Sequence, residues 1–232
     1  MLSRVYSKLI RLSCLIACLM AISSCGSNSG LIQNLAKSDI NMVGDSHIQQ
    51  TNILLKSLVY KLYKRNPREL QKNGMHTIAE RIEQIFSDPK NLRFAELNYR
   101  ESIDAMLLSF DDSFEGDRVF ALGVGLRGMF YRAYNENAEL FMLDKLDSQK
   151  LYNCARNIEI VAWRLAHRRD ARGELYLLTN SMDEPANLSF ERLFGKLIML
   201  QDMIAKITAD RTERTINKIV HRIATAVFLP VG

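Results

Sequence analysis

Proline is scarce in this chain, with only Pro67, Pro89, Pro185 and Pro230 among 232 residues. Proline breaks helices, so long intervals remain in which a helix can run without interruption. No segment alternates apolar and polar residues strongly enough to mark a half-buried strand. No fixed internal repeat appears, which favours a single domain. Cysteine is confined to Cys14, Cys18, Cys25 and Cys154. Serine never occurs in a GxSxG elbow, and neither HExxH nor a clustered Cys/His pattern is present, so no nucleophile or metal centre can be named from motif. The longest apolar run, Leu12 to Ile22, has about eleven residues where a membrane-spanning helix needs about twenty.

That run has a different meaning. Arg4, Lys8 and Arg11 precede it, and the small residues Ser23 and Ser24 follow, immediately before Cys25. A basic start, a short apolar stretch and small residues before a cut describe an export signal. Ile22-Ser23-Ser24-Cys25 resembles the lipobox of bacterial lipoprotein signals. The resemblance covers only this segment. It implies cleavage before Cys25, a diacylglyceryl group on its sulfur and an acyl chain on its new amine. Two or more chains anchor a protein stably, whereas one holds it only marginally. Gly26 after the cysteine implies passage to the outer membrane, with the domain facing the periplasm; sorting rules vary among bacteria, and the inner membrane is the alternative.

Cleavage changes the balance of the rest. The full chain carries +5, and the removed segment holds Arg4, Lys8 and Arg11 and no acid, leaving +2. The high isoelectric point therefore argues weakly for nucleic acid, and no nucleic-acid partner is expected. Cys14 and Cys18 leave with the signal and Cys25 is expected to be lipidated, so Cys154 has no partner for an intramolecular disulfide. Residues 1–24 are read as the signal, 25–49 as the lipidated cysteine and a flexible tether rich in Gly, Ser and Asn, and 50–232 as the folded domain.

Within that domain the helix period prevails. Leu54, Leu55, Leu58, Val59 and Leu62 share one face. Asn66-Pro67-Arg68-Glu69 reads as a helix start, with Asn66 as cap, Glu69 supplying the return bond and Gly74 ending the element. Ile78, Ile82 and Ile85 mark a further helix, and another stretch runs from Ala95 to Phe110. Asp147 caps a helix to about Arg168 whose core face carries Leu151, Cys154, Ala155, Ile158, Ala162 and Leu165. Asn187 or Ser189 caps the next, with Phe190, Leu193, Phe194, Leu197, Met203, Ile204 and Ile207. A last helix is expected along Ile216, Ile219, Val220, Ile223 and Val227, although Leu175–Leu178 could form a strand. The expected fold is all-α: one compact bundle of seven to nine helices behind a flexible N-terminal tether.

Four features could carry chemistry. Gly123-Val124-Gly125-Leu126-Arg127-Gly128 matches GxGxxG, with Asp144 at the distance of a ribose-binding acid. No parallel-sheet pattern flanks it, so close helix packing is the stronger reading and no cofactor is expected. His76 and Glu80 share a helical face but form half a metal site at most, with a third ligand required from His47, His167 or His221; no metal is expected. The polar face of the helix from Asp147 presents Asn153, Arg156, Asn157 and Arg164, bordered by Glu159 and Trp163 and followed by Arg168. As a recognition surface it would hold an envelope protein or an anionic envelope component, with Trp163 as anchor; as a plain solvated face, its cations merely suit the negative helix end. The segment Ala226–Val231 either closes the core or offers an apolar edge. The expected role is therefore a non-enzymatic binding or scaffold domain held to the membrane at Cys25. The alternative is an envelope hydrolase using carboxylates such as Glu69, Glu80 or Glu101 on a cell-wall or lipid substrate.

Overall fold

The computed structural model describes residues 39–74, 76–88, 90–137, 146–183, 186–218 and 223–232. The expected signal, its lipobox and Asp144 lie outside them. Six α-helices occur among the described residues, fewer than the seven to nine expected: α1 (Asp39–Arg65), α2 (Ile78–Phe86), α3 (Ser102–Leu108), α4 (Arg118–Ala133), α5 (Ser148–His167) and α6 (Ser189–Thr212). No strand is present among those residues, only the isolated bridges Arg169–Leu175 and Ser181–Asn187. The fold is all-α, and Leu175–Leu178 is loop. No helix among the described residues is long and apolar enough to cross a membrane.

The first helix begins at Asp39 rather than at Gln50. Its buried stripe, which includes Gly44, His47, Ile48, Thr51, Leu55, Leu58, Val59 and Leu62, keeps the helix period throughout. Between Gly44 and Thr51 that stripe has a single aliphatic residue, Ile48, beside Gly, His and Thr, so composition hides it. Residues 39–49 are thus helical.

α5 packs on α6 and α3 on α4, while α4 also packs on α2 and α5. Nearly every side chain of α4 is buried, including Phe120, Leu122, Leu126 and Phe130. Its glycines make this possible. A Cβ at Gly125 would lie 2.6 Å from the Met106 backbone nitrogen and 2.8 Å from the Ser102 carbonyl oxygen, and one at Gly128 would lie 2.9 Å from Ser102 nitrogen. Gly123 instead faces the side chains of Ile85 and Val59. The GxGxxG run therefore brings α3 onto the backbone of α4. Its residues are mid-helix, not a strand-to-helix turn, and the dinucleotide reading fails.

Local chemistry sets the remaining boundaries. Thr77 and Glu80 form a reciprocal capping box at α2. Asn66 makes no side-chain cap; its amide instead donates to the Leu62 and Leu178 carbonyls and accepts from the Leu178 N–H. After it the chain makes only a short 3₁₀ turn, Pro67–Gln71. The stretch from Ala95 breaks because Asn98 and Tyr99 take φ of 51° and 57°, leaving Ala95–Leu97 as a 3₁₀ turn before α3. Glu213, in the left-handed region, ends α6. The expected last helix is absent where described: residues 214–218 are irregular, Ile223–Thr225 is a 3₁₀ turn, and 226–232 carry no regular structure.

Candidate functional site

The polar face of α5 is not solvated. Asn157 is fully buried, and Asn153 and Arg164 retain 6% and 8% of their exposure. The chain's own C-terminal segment covers them. Asn157 donates to the Leu229 carbonyl at 2.8 Å and accepts from the Leu229 N–H at 2.7 Å. Asn153 donates to the Pro230 carbonyl at 2.8 Å, and Arg164 donates to the Ala226 carbonyl at 3.2 Å while covering the Phe228 ring at 4.4 Å. One turn before Asn153, Gln149 exchanges both bonds with the Asn217 backbone. Gln149, Asn153 and Asn157 stand four residues apart, so one helical row of amides reads main-chain atoms of an irregular segment. Leu229 and Val231 are buried beneath it. The segment from Ala226 thus closes the core.

The other expected binding residues separate. Arg156 pairs with Asp202 of α6 at 2.7 Å and with Glu159 at 3.2 Å. Trp163 stacks on His167 with centroids 4.7 Å apart. Of the expected binding residues only Arg168 is exposed, its N–H closing the helix end on the Arg164 carbonyl. Cys154 is a buried free thiol, and burial pushes its pKa well up.

A charged cleft lies elsewhere. A cleft of about 990 Å³ opens between the 3₁₀ turn after α1, the loop before α4 and the loop after α5. Arg65, Arg68, Lys72, Arg118 and Arg172 line it together with Glu69, Asp112, Glu115, Asp170 and Glu174, and Phe114 and Tyr176 add aromatic surface. Several of these charges shape the cleft. Glu69 accepts the Arg118 N–H at 2.7 Å and the Lys72 ammonium at 2.7 Å. Asp112 accepts the Tyr176 hydroxyl and the Ala171 N–H. Asp170 accepts from the N–H groups of Arg172 and Glu174. The Arg118 guanidinium donates to the carbonyls of Leu108, Ser109 and Asp111 and lies 4.9 Å from the Tyr176 ring.

Next to Arg118 in the chain is a buried ionic knot. Asp117 caps α4 through the Phe120 N–H, accepts the Tyr63 hydroxyl at 2.8 Å and lies 3.3 Å from Arg81 Nε. Arg81, with no exposed side-chain surface, forks onto Glu96 at 2.7 and 2.9 Å and covers the Phe120 ring at 4.3 Å. Burial pushes the Asp117 carboxyl up to about 6, against the Phe120 and Tyr63 hydrogen bonds and the Arg81 charge. A second buried cluster joins α1, α4 and α6: His47 Nε2 lies 2.9 Å from the Tyr134 hydroxyl, and Gln201 Nε2 lies 3.0 Å from His47 Nε2 and 2.6 Å from that hydroxyl. Neither cluster was visible in motif spacing. Asp117 announces itself only as an acid opening an apolar helix, and Gln201 is buried in the core while Met203, read from spacing as a core residue, is 38% exposed.

Of the three carboxylates proposed for hydrolysis, Glu69 alone lines the cleft. Glu80 is exposed and its carboxylate holds the Thr77 N–H, which lowers its pKa; Glu101 pairs with Arg132 and, at 3.9 Å, with Arg93. No group of three or more potential ligands placed for a metal ion occurs among the described residues. No family model, curated protein or solved structure matches this chain.

Proposed function

We propose that this chain is a lipid-anchored, periplasm-facing envelope lipoprotein whose helical domain binds an envelope protein in its cleft and does not transform a substrate. The location rests on the basic, apolar, small-residue and cysteine series ending at Cys25. The binding role rests chiefly on one observation: three of the five carboxylates that line the cleft, Glu69, Asp112 and Asp170, are committed to backbone N–H groups, a tyrosine hydroxyl and Lys72, so they fix its walls. Arg65, Arg68, Glu115 and Glu174 remain exposed around it. A rigid concavity rimmed by both signs of charge suits a polypeptide segment that is itself charged with both signs. The row on α5 is already occupied by the chain's own backbone and gives no free surface. A hydrolase built on Glu69, Glu80 and Glu101 has less support, because their carboxylates serve three different local structures.

Site-specific photocrosslinking in intact envelopes tests this reading. A crosslinker at Arg68 or Tyr176 should capture a defined protein that one at the exposed Met199 does not. Arg65→Glu with Arg68→Glu should reduce that capture while the melting curve stays near wild type. Equal capture from Met199, or capture insensitive to the double charge reversal, would remove the cleft from the function.

A further inference from the structure

Between Asp45 and Glu69 the chain has no acidic residue, yet it carries Lys56, Lys61, Lys64, Arg65 and Arg68. The first three sit on α1 beside two exposed apolar side chains, Ile53 at 55% and Tyr60 at 47%. The ammonium groups lean over aromatic faces: Lys56 lies 5.4 Å from the Phe86 ring centroid, Lys61 5.7 Å from Phe190 and Lys64 5.9 Å from Tyr60. Ring faces attract a cation without cancelling its charge as a carboxylate does. Between α1 and α2 lies a shallow groove of about 470 Å³ lined by Lys56, Ser57, Tyr60, Lys61 and Ile82, with no carboxylate among its lining residues.

We infer that this face of α1 is a docking surface for anionic phospholipid headgroups, with the groove taking a lipid phosphate between Lys56 and Lys61. The chemistry matches at each position. Two ammonium groups flank a concavity wide enough for a headgroup, and a serine hydroxyl adds a donor. Tyr60 and Ile53 supply an amphipathic ring and an apolar wedge of the kind that settles at a bilayer interface. Lysine suits the task because its long stem lies along apolar surface while its charge reaches outward. The inference rests on the lipid-anchor reading for its setting: only thirteen residues, 26–38, separate Cys25 from the start of α1. Even fully extended, that length spans at most about 45 Å. An anchor at Cys25 would thus hold the start of α1 within that distance of the membrane, and the attraction of each lysine to anionic lipid would act where the basic face meets the surface. The acyl chains would hold the protein, and α1 would set its orientation.

Vesicle flotation separates this claim from the anchor itself. The mature chain carrying Cys25→Ala, which cannot be acylated there, is floated with phosphatidylcholine vesicles, with or without phosphatidylglycerol. It should float with the anionic vesicles only, and added salt should weaken the association. Lys56→Glu with Lys61→Glu should weaken it at least about tenfold while leaving the thermal melt unchanged. Equal flotation on neutral vesicles, or no effect of the double variant, would overturn the α1 surface whatever the state of Cys25. An unmodified Cys25 in the native protein would overturn the anchor reading and leave the flotation result standing.

Discussion

Asn157 has no exposed surface, and both ends of its carboxamide bond the backbone of Leu229. Asn157→Ala leaves that N–H and carbonyl without their partners, which should cost about 1–3 kcal/mol in urea unfolding. Amide exchange at Leu229 should accelerate while exchange in α4 stays slow; unchanged exchange at Leu229 would show that the segment is held by apolar contacts alone. From sequence, an asparagine on the polar side of an amphipathic helix reads as solvated. Its partner is 72 residues away in the chain, so no local pattern reveals it. His47 was equally hidden. Burial lowers its pKa from 6.5 to about 4. At pH values between these limits the unfolded chain binds more protons than the folded one, so stability rises with pH. The contribution should be complete above about 6.5, lost on descending to about 4, and worth up to about 3 kcal/mol. Asp117, shifted upward to about 6, works in the opposite direction over part of the range. The difference between wild type and His47→Gln, measured by denaturation from pH 4 to 7, isolates the histidine. A difference that does not change with pH would mean that His47 titrates normally.

At the scale of the element, glycine divides into two kinds. Gly125 of α4 stands against the backbone of α3, whereas Gly195 of α6 has no neighbouring atom within 4 Å of an added Cβ. Gly195→Ala should stabilise by about 0.5–1 kcal/mol through helix propensity and reduced freedom of the unfolded chain. Gly125→Ala gains the same propensity but forces apart two backbones that cannot yield, so a net loss of about 1–3 kcal/mol is expected. Thermal unfolding of the two variants should shift in opposite directions; a stabilised Gly125→Ala would mean that α3 and α4 separate at little cost. The spacing of these glycines was legible, and so was the alternative of close helix packing. Helix α5 was legible because a period of aliphatic residues and the Asp147 cap agree, and α2 and α6 from the aliphatic period alone; neither Asn187 nor Ser189 caps α6, which opens after Leu188 without a side-chain cap. The start of α1 was not, since Gly44, His47 and Thr51 occupy its buried stripe. The C-terminal segment misled for the converse reason: Ile216, Ile223 and Val227 keep a helical spacing, but Val227 is 74% exposed and the α5 side chains hold the backbone nearby.

For the whole molecule, charge and hydrogen bonding divide the work among three surfaces. The amide row of α5 is consumed in closing the fold, the cleft bordered by Arg65 and Glu174 is proposed for a partner, and the basic face of α1 for lipid. The sequence suggested the first of these as the recognition surface because Asn153, Arg156, Asn157 and Arg164 cluster on one helix. It could not show that the polypeptide itself arrives there. The cleft escaped notice because its walls come from three loops far apart in the chain, each unremarkable alone. The proposed partner class and both proposed surfaces depend on where the protein resides, and that depends on one residue. Mass spectrometry of the N-terminal peptide from the membrane-extracted protein tests it most directly. The expected result is a chain that begins at Cys25 and carries diacylglyceryl mass on the cysteine. A chain that retains residues before Cys25, or begins there with an unmodified thiol, would contradict the anchor and the envelope function built on it.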